Sequence, residues 1–480
     1  MARPSIKRNY IYNLSFQIIN LLAPLLIQPY ITRVLGANGI GEYSFAFSNV
    51  SYFVFFATLG TSSYAQREIA SCGDERYKYT PIFWEVFILR SIDTFIAIIL
   101  YLLLILQTGM NTITLLMCLN ILNVAFDITW FFQGIEEFQK TATRSIAIKL
   151  FFVIFTLLMV KKPDDLWIYT LGYCAIQILA NISLWIFVPR YIGKCKIEFT
   201  NLKRHIVPSF MLFLPTIATQ VYTVLDKTMI GIFTVTNIQN GLYEQAEKIS
   251  RIALTVYQSY GAVVAPRISN LYARGDDKGI ESILTSSIRF MWMLLSPMML
   301  GMIAISNNLI PWFYGSEFIE SIPILRVFSL LLIPVGLSTV LAVEYLVPIK
   351  KQNLFTLSVT VGAISNIIMN LILIPRFYAV GAAIASVLAE TIITAVQIYI
   401  VHRIKGPFSI KKLISPGIKY LVFSIVMFVP VFSLGEIMKS NVINTFLLCL
   451  AGLLIYGTLL IISKDSMVIS LLRKVYHRKS

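Results

Sequence analysis

Residues Tyr222–Phe233 read YTVLDKTMIGIF, an acid and a base side by side in an otherwise apolar run. In hydrocarbon each such charge costs roughly 2.5–3.5 kcal/mol on insertion scales, whereas in water it costs nothing. Which solvent surrounds this stretch therefore decides the fold. The rest of the chain answers the question. Of its 480 residues 57% are hydrophobic and 13% charged, and the mean hydropathy is +0.75; soluble domains carry about 25% charged residues. Apolar runs of about 20 residues, enough to cross a hydrocarbon core of about 30 Å, begin near residues 10, 41, 79, 111, 143, 166, 206, 240, 284, 322, 353, 378, 415 and 441. The expected class is an all-α polytopic membrane protein of about 14 transmembrane helices. The longest polar connections, 189–205 and 267–281, are too short for a soluble catalytic domain.

The net charge of +16 invites a nucleic-acid reading, which the placement of the cations excludes. With a cytoplasmic N-terminus, 27 of the 40 Lys and Arg residues fall in cytoplasmic segments and five (Arg33, Lys161, Lys162, Arg376, Lys439) on the opposite side. That asymmetry is the positive-inside signal and predicts both termini inside. The basic tail RKVYHRKS reads as a solvated or anionic-lipid contact. The N-terminal MARPSIKRNY lacks the pattern of a cleavable signal peptide. Five scattered cysteines without a CxxC pair, and three histidines, predict neither a disulfide framework nor a metal centre.

GEYSFA at 41–46 and GLYEQA at 241–246 share G-x-Y-x-x-A and open spans two and eight; Pro24 and Gln28 upstream are echoed by Pro215 and Gln220. A repeat six spans apart keeps its orientation, giving two lobes related by an axis along the membrane normal. The expected organisation is an N-terminal lobe at 1–200 (spans 1–6), a C-terminal lobe at 201–412 (spans 7–12), and 413–480 with spans 13 and 14 and a basic tail.

Polar residues fall in stripes. Asn9, Asn13, Gln17, Asn20, Pro24 and Gln28 share one face of span one; Thr216, Gln220, Thr223 and Lys227 share one face of span seven; Glu244, Lys248 and Arg251 share one face of span eight. Arg90 and Asp93 stand three apart in span three. Ser44, Ser48 and Ser51 mark span two. Polar side chains can simply bind helices together, and the isolated Lys149 and Glu344 are read that way, with Arg289 and Arg326 snorkelling from span ends. Asp127 and Glu390 are further intramembrane ionisable groups. Continuous stripes point instead to a water-filled cavity between lobes. Its candidate substrate-binding residues are Arg33, Arg90, Lys227, Lys248, Arg251, Gln28 and Gln220, a set that attracts an anion. Asp93, Asp226 and Glu244 are candidates for a coupling H⁺ or Na⁺. Intramembrane Pro24, Pro215, Pro297 and Pro334 should kink their spans, and LGANGIG (35–41) and VGAAIAS (380–386) allow tight turns and close helix approach.

The blocks PYITRVLGANGIGEYSFAFSNVSYFVFFATLGTSSYAQREIA (29–70), LDKTMIG (225–231), GLYEQAEKI (241–249) and YAVGAAIASVLAE (378–390) resemble the Wzx-type polysaccharide flippases. That family belongs to the superfamily of lipid II flippases and multidrug and toxin extrusion antiporters. The resemblance spans helices 1 to 12. It implies two six-helix lobes around a central cationic cavity, alternating between inward-open and outward-open forms in a bacterial plasma membrane. The implied substrate is an undecaprenyl-pyrophosphate-linked oligosaccharide repeat unit, with polymerase and chain-length proteins as pathway partners. The charged positions it carries over are Arg33, Glu42, Arg67, Glu68, Asp226, Lys227, Glu244, Glu247 and Lys248, with Arg67 and Glu68 as candidates for a cytoplasmic gate.

A pyrophosphate suits Arg and Lys, and a sugar head group suits amide, hydroxyl and aromatic side chains. No phosphate-binding GxxxxGK[ST] occurs, so energy has to come from an ion gradient, the membrane potential or product consumption. A lipid II flippase shares the anionic anchor and stays an alternative. A drug or cation antiporter of the same fold calls for an acid-dominated cavity, and the balance here is basic. A membrane polymerase or ligase calls for a large external loop with catalytic Arg or His, and the external loops are short and lack His. The reading is a transporter, not an enzyme, with no cofactor and no nucleic-acid partner.

Overall fold

The structure, a computed structural model, describes residues 6–73, 75–193, 195, 199–407, 409–465 and 467–469, without side chains at 6–25, 138–140, 142–143, 199–200 and 214–222. Among the described residues the regular elements are all helical. The chain forms two compact units, Met1–Gly241 and Leu242–Ser480.

In the first unit, α1 (Ile6–Thr58) comprises two helical spans that meet at a kink at Gly36, whose φ of 67° is a conformation that side chains resist. The glycine-rich junction is thus the turn between spans one and two. α2 (Thr61–Ser71) and α3 (Arg76–Thr108) follow. The fourth span comes in three pieces, α4 (Thr112–Leu116), α5 (Cys118–Phe126) and α6 (Thr129–Gly134). Then come α7 (Phe138–Met159), α8 (Leu166–Trp185), the short α9 (Val188–Tyr191) and α10 (Lys203–Phe233). This unit holds an aromatic core in which the buried Phe131 meets Phe83, Trp130 and Phe132 edge to face. Such pairs contribute about 0.5–1.5 kcal/mol each beyond area burial.

α10 packs against α1 and α2. Small residues make the approach close: a Cβ on Gly231 would lie 2.1 Å from the Phe45 ring. Thr228 Oγ1 donates to Ser48 Oγ at 3.1 Å and accepts from Tyr52 at 3.1 Å. The repeated glycines have the same cause. A Cβ on Gly41 would meet the Asn237 carbonyl oxygen at 1.7 Å, and one on Gly241 the Ala37 oxygen at 2.1 Å.

In the second unit, α11 (Ile238–Ala273) leads into α12 (Asp277–Phe313), α13 (Ser321–Ser329) and α14 (Leu332–Ser338). A π-helical stretch, Thr339–Leu346, completes that tenth span. α15 (Gln352–Arg403) again holds two spans, broken at Tyr378 with φ 49°. α16 (Ile410–Ile437) and α17 (Val442–Ile462) close the chain. α16 lies along α12: the Trp292 indole donates to the Leu413 carbonyl at 2.8 Å, and Gly417 leaves room for that ring. Arg326 is not a snorkelling residue. Its guanidinium donates to Ser306 Oγ and Asn307 Oδ1 at 2.9 Å and stands over the Phe432 ring, which holds α13 to α12.

Candidate functional site

The fourth span breaks where its sequence turns polar. Asn120, Asn123 and Asp127 are spaced three and four apart and share a face. α5 ends at Asp127, whose backbone is extended (φ −74°, ψ 107°). Inside a bilayer the groups freed by such a break need partners within the protein. Asp127 supplies them: Oδ1 accepts the Thr129 N–H at 3.0 Å, and its carbonyl accepts the Trp130 indole at 3.0 Å.

Asp127 Oδ2 accepts from the Arg90 guanidinium of α3 at 3.2 Å. Arg90 is 3% exposed and also donates to Ser62 of α2 at 2.9 Å. From α7, Arg144 donates to Thr129 Oγ1 at 3.2 Å and to Asn181 Oδ1 of α8 at 2.9 Å. Asn181 Nδ2 then donates to Asn123 Oδ1 at 2.8 Å. One network thereby joins α2, α3, α5, α6, α7 and α8.

These groups line a cavity of about 450 Å³, completed by Asn120, Gln133 and Gln177. Its volume lies within the roughly 300–1,000 Å³ usual for small-molecule sites. Two arginines against one aspartate leave a positive charge, and the Nε atoms of Arg90 and Arg144 are buried without a partner among the described residues. Five amide side chains and the Trp130 ring add donors, acceptors and an aromatic face. Such a cavity can hold a hydroxyl-rich anion.

Below it sits a second polar cluster. Glu85 of α3, 3% exposed, accepts from Arg204 at 2.5 Å and meets His205 Nε2 at 2.6 Å, both on α10. His205 Nδ1 faces the Tyr64 hydroxyl of α2 at 2.8 Å. This ties one end of α10 to α2 and α3.

Of the residues singled out from the sequence, Arg90 lines the cavity. Asp93, one turn along α3, is half-buried with Oδ2 lacking a partner among the described residues. Gln28 is buried, its Oε1 likewise without a partner. Arg33 is exposed on α1, where its guanidinium donates to the Pro29 carbonyl. Asp226 is buried on α10 and Lys227 half-buried beside it. The side chains of Gln220 and of Asn9, Asn13, Gln17 and Asn20 fall outside those described. On α2, Arg67 is exposed and Glu68 half-buried. In the second unit, Lys248 pairs with Glu244 at 3.0 Å and Arg251 with Glu247 at 2.5 Å, each one turn away on α11.

Residues 6–272 match the family described as polysaccharide biosynthesis protein. The chain belongs to that family. A relative in Escherichia coli (strain K12), provisionally named an O-antigen transporter, is 24% identical over 409 residues, covering 84% of this chain and 98% of its own. A glycan biosynthesis flippase of Haloferax volcanii, Agl15, also a provisional name, is 26% identical over 239 residues, half of each chain. Among solved structures, the lipid II flippase MurJ in an inward-closed conformation superposes with a TM-score of 0.68 at 18% identity, covering 96% of this chain and 99% of that one. This chain therefore has the fold of MurJ, and a multidrug resistance transporter of the MOP superfamily, in an inward-facing conformation, superposes with a TM-score of 0.60 at 13% identity, covering 82% of this chain and 97% of that one.

Sequence reasoning passed over Arg144, Asn120, Asn123, Gln133, Gln177 and Asn181. Arg144 stands only two turns into α7, where the early turns of a helix and a polar connection look alike in sequence. The others carried a usable signal. Asn120, Asn123 and Asp127, and then Gln177 and Asn181, repeat the three-and-four spacing that marked spans one and seven.

Proposed function

We propose that this chain is a flippase for undecaprenyl-pyrophosphate-linked oligosaccharide repeat units, carrying them across the plasma membrane for the synthesis of a surface polysaccharide. The observation that carries the reading is the amide-lined, net-positive cavity of Arg90, Asp127 and Arg144 inside an otherwise apolar helical unit. Amides and an indole suit sugars; buried guanidinium groups suit phosphate or acidic sugars. The family and the names of its relatives support the same reading. The cavity moves its ligand and does not transform it.

The excess of cations in alternate connections supports cytoplasmic termini. In that orientation Ser62 and Arg144 lie in or next to the cation-rich connections, and the cavity is then on the side of the leaflet where the repeat unit is made. Energy enters by exchange with protons or sodium ions, and polymerase and chain-length proteins take up the product.

The test is the lipid-linked oligosaccharide in cells depleted of the protein, with its sidedness. Complete repeat units accumulating on the cytoplasmic leaflet support the proposal, and their composition names the glycan. Unpolymerised units stranded outside overturn it in favour of a polymerase or ligase. Accumulated cell-wall precursor instead of glycan units overturns it in favour of a lipid II flippase. Normal lipid intermediates with altered drug tolerance would leave an exporter.

A further inference from the structure

Glu344 lies in the second unit, in the π-helical stretch Thr339–Leu346, and is fully buried. Its Oε1 accepts the Tyr257 hydroxyl of α11 at 3.1 Å. Its Oε2 is buried and has no hydrogen-bond partner, and no cation pairs with the carboxyl group among the described residues. Gly261, one turn beyond Tyr257, brings the backbone of α11 close: a Cβ there would stand 3.2 Å from Oε1. Ser287 of α12, also fully buried, stands with its hydroxyl beside the carboxyl group.

An ionised carboxylate in such a place is a buried charge with no counter-charge, which costs several kcal/mol even after relaxation. The group is tolerable here only if it carries a proton or a cation. A sodium ion takes about five or six oxygen ligands, and one carboxyl group beside the hydroxyls of Tyr257 and Ser287 supplies too few. One proton removes the charge: it sits on Oε2, with the Ser287 hydroxyl beside the carboxyl group as its acceptor, while Tyr257 donates to Oε1. The backbone adds a second reason to expect function. π-helical turns distort an α-helix at a cost and recur at functional sites, and here the Val347 N–H reaches back to the Ala342 carbonyl, five residues away.

We propose that Glu344 is a proton-carrying site of this protein, loaded in the conformation seen here and discharged when the tenth span opens to water. On discharge the O–H bond at Oε2 breaks and the proton passes to a water molecule. The carboxylate that remains keeps the Tyr257 hydrogen bond and is stabilised by the incoming water. Around it, Tyr257 is the titratable group in contact, with Tyr260 behind it at 6.1 Å between ring centroids. α14 carries no ionisable residue, and the charged residues of α12 (Asp277, Lys278, Glu281, Arg289) and of α15 (Arg376, Glu390, His402, Arg403) form no ion pair with Glu344. The other acids differ: Glu244 has Lys248 beside it, and Asp93 is half-exposed. The coupling role rests on the transport reading above; the proton site does not.

The experiment is infrared difference spectroscopy of the full-length protein in lipid, wild type against Glu344→Gln, from about pH 5 to about pH 10. A protonated-carboxyl C=O band that the substitution removes, and that loses at least about tenfold of its intensity across this range, supports the site. Tyr257→Phe should then move the midpoint while leaving the band in place, a readout independent of whether Glu344→Gln folds well. A Glu344 band constant over the whole range overturns the proposal and makes the residue a permanently neutral helix contact. Absence of any such band at all pH values overturns it as well. In proteoliposomes with labelled lipid-linked oligosaccharide, an imposed proton gradient should accelerate wild-type movement and leave Glu344→Gln unaffected. A Glu344→Gln response equal to wild type overturns the coupling role. Wild-type protein that moves no lipid-linked oligosaccharide refutes the flippase reading, and the infrared titration still decides the site.

Discussion

Asp127 shows how one side chain serves both architecture and site. It mends a broken helix with one oxygen and holds Arg90 with the other. Removing one partner of a buried pair leaves the other uncompensated, which costs about 3–5 kcal/mol, whereas removing both costs less. Arg90→Met should therefore lower the thermal stability of the purified protein more than Arg90→Met combined with Asp127→Asn. A loss in the double variant equal to the sum of the two single-variant losses would mean that the two residues act independently. Arg144→Gln keeps a hydrogen-bonding side chain but removes the charge, and should reduce transport at least about tenfold at unchanged protein level, since hydrogen bonds to charged groups contribute about 1.5–3 kcal/mol. Asp465, just beyond α17, gives a pH prediction. Burial raises its pKa, but the Lys419 ammonium at 2.7 Å, the Met467 N–H and the Tyr420 hydroxyl outweigh burial and hold it below the ordinary aspartate value. A depressed folded-state value adds stability that is present above about pH 3.9 and lost as pH falls below it. Unfolding temperatures measured from about pH 6 downward should fall more steeply in wild type than in Asp465→Asn, with the difference confined to the acid end.

Helices here are placed by what their small residues allow. In α15 the chain turns at Tyr378, and Gly381 then lies against the preceding half: a Cβ on it would come within 2.3 Å of the Leu373 carbonyl oxygen. Backbone cannot give way as a flexible side chain does. Gly381→Val should cost about 1–3 kcal/mol or more, and the protein should show a lower unfolding temperature. The buried alanines around it (Ala379, Ala382, Ala383, Ala385) serve the same close approach. At the other kind of junction, polar groups do the joining. Glu85 receives Arg204 and His205 and so fastens the start of α10. Glu85→Ala should leave His205 buried without its acceptor and free the first turns of α10, read as faster amide hydrogen exchange over 203–210. Unchanged exchange there would show that apolar packing alone holds the helix.

Across the molecule, two pairs of consecutive spans are joined without a connecting loop: α1 and α15 each comprise two helices that meet at a kink at a single residue, Gly36 and Tyr378, whose backbone is not helical. The orientation proposed from charge can be read directly. In intact cells, a cysteine at Lys161 should react with an impermeant maleimide and one at Gly275 should not; permeabilised cells should label both. The reverse pattern would invert the protein and move the Arg90–Arg144 cavity to the external side.

The sequence by itself determined the class and the spans. Transfer into hydrocarbon is a cost paid residue by residue, so a run of some twenty apolar side chains declares itself without knowledge of its neighbours, and flanking cations supply the proposed direction that the labelling tests. It also marked, through G-x-Y-x-x-A, glycines that prove to be points of backbone contact. Tertiary structure alone decided which polar residues meet. Arg144 and Asn181 are 37 positions apart yet 2.9 Å from one another, and Glu344, which reads as an isolated acid, is enclosed by Tyr257 from another helix. The reason is physical: the worth of a polar group in a membrane depends on its partner and on access to water, and both are properties of the packing between helices, not of position along one.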